Sequence, residues 1–108
     1  KYKLELNEKF SQDINLVIYR ILQEALTNIQ KHSEATHVEI DLSMRLDGIY
    51  LRIWDNGQGF DPTQNTTGFG LQSMQERVNA LRGEFHLTSL PGQGCQILVS
   101  IPLVRGAA

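Results

Sequence analysis

Residues 36–55 read THVEIDLSMRLDGIYLRIWD. In the first half, Val38, Ile40, Leu42 and Met44 fall on one side, and His37, Glu39, Asp41 and Ser43 fall on the other. A period of two predicts a strand, because successive side chains of a strand point to opposite faces. Asp47-Gly48 predicts a hairpin. The return strand then places Ile49, Leu51 and Ile53 on one face. The resulting sheet has one face to bury and one to leave in water.

Working outward, the remaining elements follow from their own periods. Upstream, Ile14, Val17, Ile18, Ile21, Leu22, Ala25, Leu26 and Ile29 recur at helical spacing. They predict a helix capped by Ser11 or Asp13 that runs to about His32. Residues 1–6 alternate, with Tyr2, Leu4 and Leu6 on one side, and predict a short first strand. Downstream, Leu71, Met74, Val78 and Leu81 share a face of a second helix over residues 71–82, which Gly83 can end. Two strands follow, at residues 84–90 and 95–102, joined by a turn at Pro91-Gly-Gln-Gly94. The strand positions opposite the core are mostly polar: His37, Glu39, Asp41, Arg52, His86, Thr88 and Ser100. Tyr50, Trp54 and Leu98 break that rule and mark a contact patch. Two apolar helix faces and a one-sided sheet predict an α+β fold. Its form is a two-layer sandwich, with helices on one face of a mixed, mostly antiparallel sheet.

Bulk properties narrow the function classes. The 108 residues fit one domain, spanning 1–108. A net charge of −2 provides no broad basic field, so nucleic acid is not an expected partner. No apolar run approaches the ~20 residues that span a bilayer, and no signal-peptide pattern opens the chain. The chain begins with charged residues and no Met, as a piece cut from a longer protein would. One cysteine, Cys95, allows no internal disulfide, which fits a reducing compartment. Residues 57–70, rich in Gly and polar residues, read as a functional loop between regular elements.

Three clusters carry chemistry. On the first helix, with Glu24 at zero, the ~100° step per residue puts Asn28 at about 40°, Lys31 at about −20° and His32 at about 80°. The apolar face is centred at about 110° on that scale, so this polar stripe runs along its rim, where a cleft wall would lie. A solvated helix edge, with cations near the C-terminal dipole, is the plainer reading. Against it, a rim Asn is a good oxygen ligand for Mg²⁺, and a carboxylate one turn away can orient or deprotonate a nucleophile. The second cluster is Asp55-Asn-Gly57-Gln-Gly59-Phe, directly after a strand. It reads as a turn on composition, yet a carboxylate at the end of a central strand is costly to bury unless paired. Adenine offers an N6 amino donor where guanine offers a carbonyl oxygen, so such a carboxylate selects adenine. The third is Gly68-Phe-Gly70-Leu71, at the start of the second helix. It is either a flexible lead-in or a phosphate site made of backbone N–H groups. No Walker-A pattern is present.

Taken together, these stretches resemble the catalytic domain of sensor histidine kinases. Glu24-Ala-Leu-Thr-Asn28-Ile-Gln-Lys31-His32-Ser33 is similar to the N box, and the two glycine segments are similar to the first and second glycine boxes. Tyr19-Arg20-Ile-Leu-Gln-Glu24, the Lys-His pair, the short loop and Met74-Gln-Glu-Arg77 resemble the nitrate/nitrite-sensor subfamily. The resemblance covers nearly the whole chain and implies the ATP-binding fold shared with gyrase, Hsp90 and MutL-type ATPases.

The resemblance also implies roles. Asn28 would coordinate Mg²⁺ bridging the phosphates, and Lys31 and His32 would contact phosphate or ribose. Asp55 would bind adenine N6, in a pocket shaped by Gly57 and Gly59. Gly68 and Gly70, with Leu71 behind them, would frame the lid and triphosphate. Glu24 would be the base or orienting group. ATP and Mg²⁺ are the implied ligands. A dimerisation domain bearing the phospho-accepting histidine and a downstream response regulator are the implied partners. A cytoplasmic monomer without membrane contact of its own is expected, as the cytosolic part of a membrane-anchored sensor. Two departures stand out. Cys95 occupies a position where the family often has Thr, which lowers the expected adenine affinity, and the lid over residues 60–67 is short, polar and expected to be mobile without nucleotide. No stretch resembles the phosphoacceptor hairpin. Two alternatives stay open: a non-transferring nucleotide-binding module, and an anti-sigma-factor-type serine kinase on the same fold.

Overall fold

The computed structural model describes residues 2–4, 12–63 and 67–103. The elements in chain order are β1 (Tyr2–Leu4), α1 (Gln12–Asn28), a π-helical turn (Ile29–Ser33), β2 (Val38–Met44), β3 (Gly48–Asp55), a 3-10 turn (Thr67–Phe69), α2 (Leu71–Ala80), β4 (Glu84–Ser89) and β5 (Cys95–Pro102). One five-stranded sheet forms in the order β1-β2-β3-β5-β4. β1 joins β2 in parallel, and every other pairing is antiparallel. This is the mixed, mostly antiparallel α+β sheet that the patterning predicts. The outer parts of the expected first strand, and the Ser11 cap, lie outside the described residues.

The register shows why the alternation is decisive. Ile40, Leu42 and Met44 lie opposite Ile53, Leu51 and Ile49, which in turn face Ile97, Val99 and Ile101. These rows build one apolar face, and a slip by one residue would turn every one of them to solvent. Against it α1 places Val17, Ile18, Ile21 and Ala25, and α2 places Met74 and Val78, in one continuous core. Leu26, read with the apolar face of α1, is 37% exposed and sits at the margin of that stripe.

Two turns form differently from their sequence reading. In the hairpin, Arg45 N–H donates to Gly48 O (2.8 Å) and Gly48 N–H to Arg45 O (3.4 Å). The loop residues are therefore Leu46 and Asp47. Gly48 is the first residue of β3, where a Cβ would lie 2.7 Å from the Ile101 carbonyl oxygen. Close approach of β5, rather than a left-handed turn, requires the glycine. At the end of α2 the left-handed residue is Arg82, at φ 60. Arg82 N–H donates to Asn79 O (2.9 Å) and Gly83 N–H to Val78 O (3.0 Å), the Schellman pattern of a helix end. Gly83 follows one position later, with a hypothetical Cβ 2.4 Å from Ser100 O.

The solvent face of the sheet is held by charge. Arg52, central on β3, donates to Glu39 (3.0 Å), Asp41 (3.2 Å) and Gln96 (2.8 Å). The aromatic residues of the expected contact patch carry arginines: Arg45 over Tyr50 at 4.7 Å and Arg52 over Trp54 at 6.0 Å. Among the described residues no helix is long and apolar enough to cross a membrane.

Ile21 is fully buried where α1 meets the sheet. Ile21→Ala is expected to lower unfolding free energy by about 2–5 kcal/mol, through lost burial and the cavity left behind. Denaturant titration measures it.

Candidate nucleotide site

The site grows from the end of β3. Asp55 pairs with Val38 on β2 and Cys95 on β5, so it lies mid-sheet and is only 4% exposed. Its Oδ1 accepts the Ser33 hydroxyl (2.7 Å) and the Gly57 N–H (2.8 Å). Oδ2 has no hydrogen-bond partner among the described residues, yet no buried side-chain polar atom there is sealed without one. Oδ2 is therefore open to the adjoining cavity.

The loop after Asp55 is stitched to the segment leading into β2. Asn56 Oδ1 accepts the N–H groups of Thr36 (3.0 Å) and His37 (2.8 Å). Gln58 N–H donates to Ser33 O (2.8 Å), and the Gln58 side-chain amide donates to His32 O. Gly59, at φ 62, faces the β4–β5 turn so closely that a Cβ would lie 2.2 Å from Leu90 O. Ser89 supports that turn by donating to Gly94 O (2.8 Å) while accepting Phe60 N–H (2.9 Å).

The other wall comes from the end of α1. The expected regular helix to His32 stops at Asn28 and widens into the π-helical turn, closed by Glu34 in the left-handed region (φ 55). Bonding from i to i+5 swings the residues after Asn28 away from their α-helical directions. Ser33 is thereby buried against Asp55, whereas Lys31 is exposed. Asn28 donates its amide to Phe69 O (2.6 Å), which leaves its Oδ1 free to accept or ligate. Phe69 stacks on Phe60 (4.5 Å between centroids) and lies 4.7 Å from the His32 ring.

Between these walls is a cavity of about 240 Å³, whose lining includes Asn28, Ile29, His32, Asp55, Phe60 and Cys95. An apolar slot with a few polar groups suits a flat heterocycle. A larger hollow, about 420 Å³, lies on the outer sheet face beside Arg52 and Leu98. Its acidic Asp41 is already held by Arg52, and none of the sequence motifs reaches it.

Of the predicted site residues, Asn28, His32, Asp55 and Gly59 line the cavity. Gly57 stands behind its wall, where a Cβ would overlap the Ser33 hydroxyl. Glu24 meets Gly70 instead of the cavity, with a Cβ at Gly70 falling 2.1 Å from the Glu24 carboxylate. Gly70, at φ 68, is the N-cap of α2, so this carboxylate lies at the positive end of that helix. Lys31, Gly68 and Leu71 do not line the cavity, and Gly68 has nothing within 4 Å of a hypothetical Cβ. Part of the expected mobile lid, residues 64–66, lies outside the described residues. Ser33, Gln58, Ser89, Gly94 and Phe69 are contributors that sequence reasoning left unassigned. Ser33 ended a quoted motif, and Gly94 was visible only as a turn glycine. Among the described residues no group of three or more His, Cys, Asp or Glu could hold a metal ion.

Residues 13–105 match the family described as histidine kinase-, DNA gyrase B- and HSP90-like ATPase. The chain belongs to that family. It is 39% identical over 97 residues to the signal transduction histidine-protein kinase/phosphatase DegS of Brevibacillus brevis, covering 89% of this chain and 25% of that protein. It is 40% identical over 89 residues to the sensor protein VraS of Staphylococcus haemolyticus, covering 82% and 26%. The chain thus spans about a quarter of the length of these relatives. The histidine kinase domain of the Erythrobacter litoralis EL346 blue-light activated kinase shares the fold. Its TM-score is 0.77 at 19% identity, covering 94% of this chain and 52% of the other. Acinetobacter baumannii AdeS does so at 0.67 and 21%, covering 81% and 46%. The ATP-binding fold that the resemblance implied is therefore the fold of this ATPase family.

Cys95 sits across from Asp55 at the cavity wall. Burial first, then the Asp55 charge, push its thiol up to about 11 from the usual 9.0, against a smaller lowering influence of the neighbouring Ser89 hydroxyl. The unfolded chain therefore loses this proton at lower pH than the folded chain does. Stability from this group is complete below about pH 9 and is lost as pH rises to about 11. Cys95→Ser should flatten that part of the decline, as read by denaturant titrations at stepped pH.

Proposed function

We propose that this chain is the catalytic unit of a two-component sensor kinase, residues 1–108 forming one ATP-binding domain. It holds Mg-ATP and donates the γ-phosphoryl group to a histidine on a separate dimerisation and phosphoacceptor domain, from which a response regulator is served. The observation that carries this reading is the convergence of Asp55 and Asn28 on one cavity, in a chain of this ATPase family.

Each residue has a task that its position allows. The open oxygen of Asp55 accepts the N6 amino group, and Ile29, Phe60 and Phe69 give the base apolar surfaces. Gly57 and Gly59 let the backbone pack closely behind it. The free Oδ1 of Asn28 is a hard ligand suited to Mg²⁺ beside the phosphates. Bound Mg²⁺ supplies charge neutralisation on the phosphate oxygens. His32 reaches ribose or phosphate, and Lys31 adds a cation at the rim. Gly68, Gly70 and Leu71 present the start of α2 to the triphosphate. Glu24, one turn before Asn28, orients or deprotonates the incoming imidazole. Phosphoryl transfer asks mainly for such positioning and charge stabilisation. The Tyr19–Glu24 lead-in supports a place near the nitrate/nitrite sensors, on the cytoplasmic side of a membrane-anchored parent.

Calorimetry on the chain should show Mg²⁺-dependent ATP binding. Asp55→Asn and Asn28→Ala should each weaken it about tenfold or more, as expected for losing a hydrogen bond or ligand to a charged group. Unchanged affinity in both variants ends the assignment. Labelled phosphate from ATP should reach protein only when the phosphoacceptor domain is added, and absence of transfer would favour the non-transferring module.

A further inference from the structure

Asp55 has two carboxylate oxygens, and an acid side chain can turn about its last torsion between two equivalent settings. Recognition of a base by one of them needs that torsion held. Here both hydrogen bonds to the carboxylate converge on Oδ1: the Ser33 hydroxyl at 2.7 Å and the Gly57 N–H at 2.8 Å. Oδ2 has no partner among the described residues and adjoins the cavity.

Ser33 reaches this place through a local departure from α-helix. Along an α-helix five residues turn about 500°, leaving Ser33 about 140° away from Asn28. A turn bonded i to i+5 brings residues five apart toward the same side. The π-helical turn of residues Ile29–Ser33 has this form. The left-handed Glu34 then leads the chain off toward β2. Ser33 is 8% exposed, its one hydroxyl proton is spent on Asp55, and its carbonyl accepts Gln58 N–H. Gly57 is bound into the same knot, because any Cβ there would overlap the Ser33 hydroxyl and crowd Asp55 Oδ1.

We propose that Ser33 is the positioning residue for base selection: its hydroxyl, acting with the Gly57 amide, immobilises Asp55 so that one fixed oxygen faces the base. The assignment rests on the reading of the cavity as an adenine site. It deepens that reading by placing selectivity for a 6-amino purine on the rim between the π-helical turn and the glycine loop. Ser33 itself touches no ligand atom in this scheme.

The test compares Mg-ATP with the Mg-triphosphate of purine riboside, which lacks the 6-amino group, by calorimetry on the full chain. Wild type should prefer ATP. Ser33→Ala should lose about tenfold in ATP affinity, in keeping with a hydrogen bond to a charged group, while binding of the purine riboside triphosphate changes less than about twofold. In an Asp55→Asn background the same substitution should change neither. Ser33→Cys keeps the size and offers a weaker donor, so it should lose part of the preference and serves if the alanine variant does not fold. Equal weakening toward both nucleotides would make Ser33 a structural staple and overturn the proposal. Full retention of ATP preference in the alanine or cysteine variant would overturn it as well, with the ATP site intact. Wild-type protein that binds neither nucleotide would remove the functional reading and this assignment together.

Discussion

A carboxylate at the end of a central strand has to be satisfied, and the geometry around Asp55 is organised by that constraint. An unpartnered charge at 4% exposure would cost several kcal/mol. Its partners come from two directions: the hydroxyl of Ser33 at the end of the π-helical turn, and the N–H of Gly57 two residues further along its own loop. Because both are spent on one oxygen, the demand for a partner is met while an acceptor stays available. Structural satisfaction falls to one oxygen of the side chain, and the other is left without a partner among the described residues.

That division needs several segments to approach closely, and the glycines act there. Gly57, Gly59 and Gly94 each stand where a Cβ would overlap a neighbour: Ser33, the Leu90 carbonyl and the Asp55 carbonyl respectively. The loop after β3 is clamped between the end of α1 and the β4–β5 turn. Asn56 and Gln58 complete the clamp through hydrogen bonds to Thr36, His37, Ser33 and His32. The sheet order places β5 beside β3, which is why Cys95, distant in sequence, pairs with Asp55 and lines the same pocket.

The far end of the cavity is governed by how α1 meets α2. Asn28 reaches across to the Phe69 carbonyl and Glu24 to Gly70, so the polar rim of one helix is keyed to the start of the other. Phe69 closes the same side by stacking on Phe60. Asn28, Glu24 and the ring of Phe60 thus all meet the one short segment Phe69–Gly70, and a shift of that segment changes all three contacts.

Strand alternation and helical spacing were enough to read the two layers, the buried face and the order of the strands and the two main helices. These properties depend on period, and period is written locally in residues such as Ile40, Leu42, Leu51 and Ile53. That Asp55 and Asn28 face one cavity was also legible from the motifs. Tertiary packing decided the rest. It placed a left-handed residue at Arg82 instead of Gly83, made Gly48 a site of close approach, and bent the end of α1 into a π-helical turn that buries Ser33 and exposes Lys31. None of these leaves a trace in spacing, because each depends on which distant atom comes near: the Ile101 carbonyl at Gly48, the Ser100 carbonyl at Gly83 and the Asp55 carboxylate at Ser33. Sequence set what each segment could become; contact across the fold determined which oxygen, amide or Cα position was left free to meet a ligand.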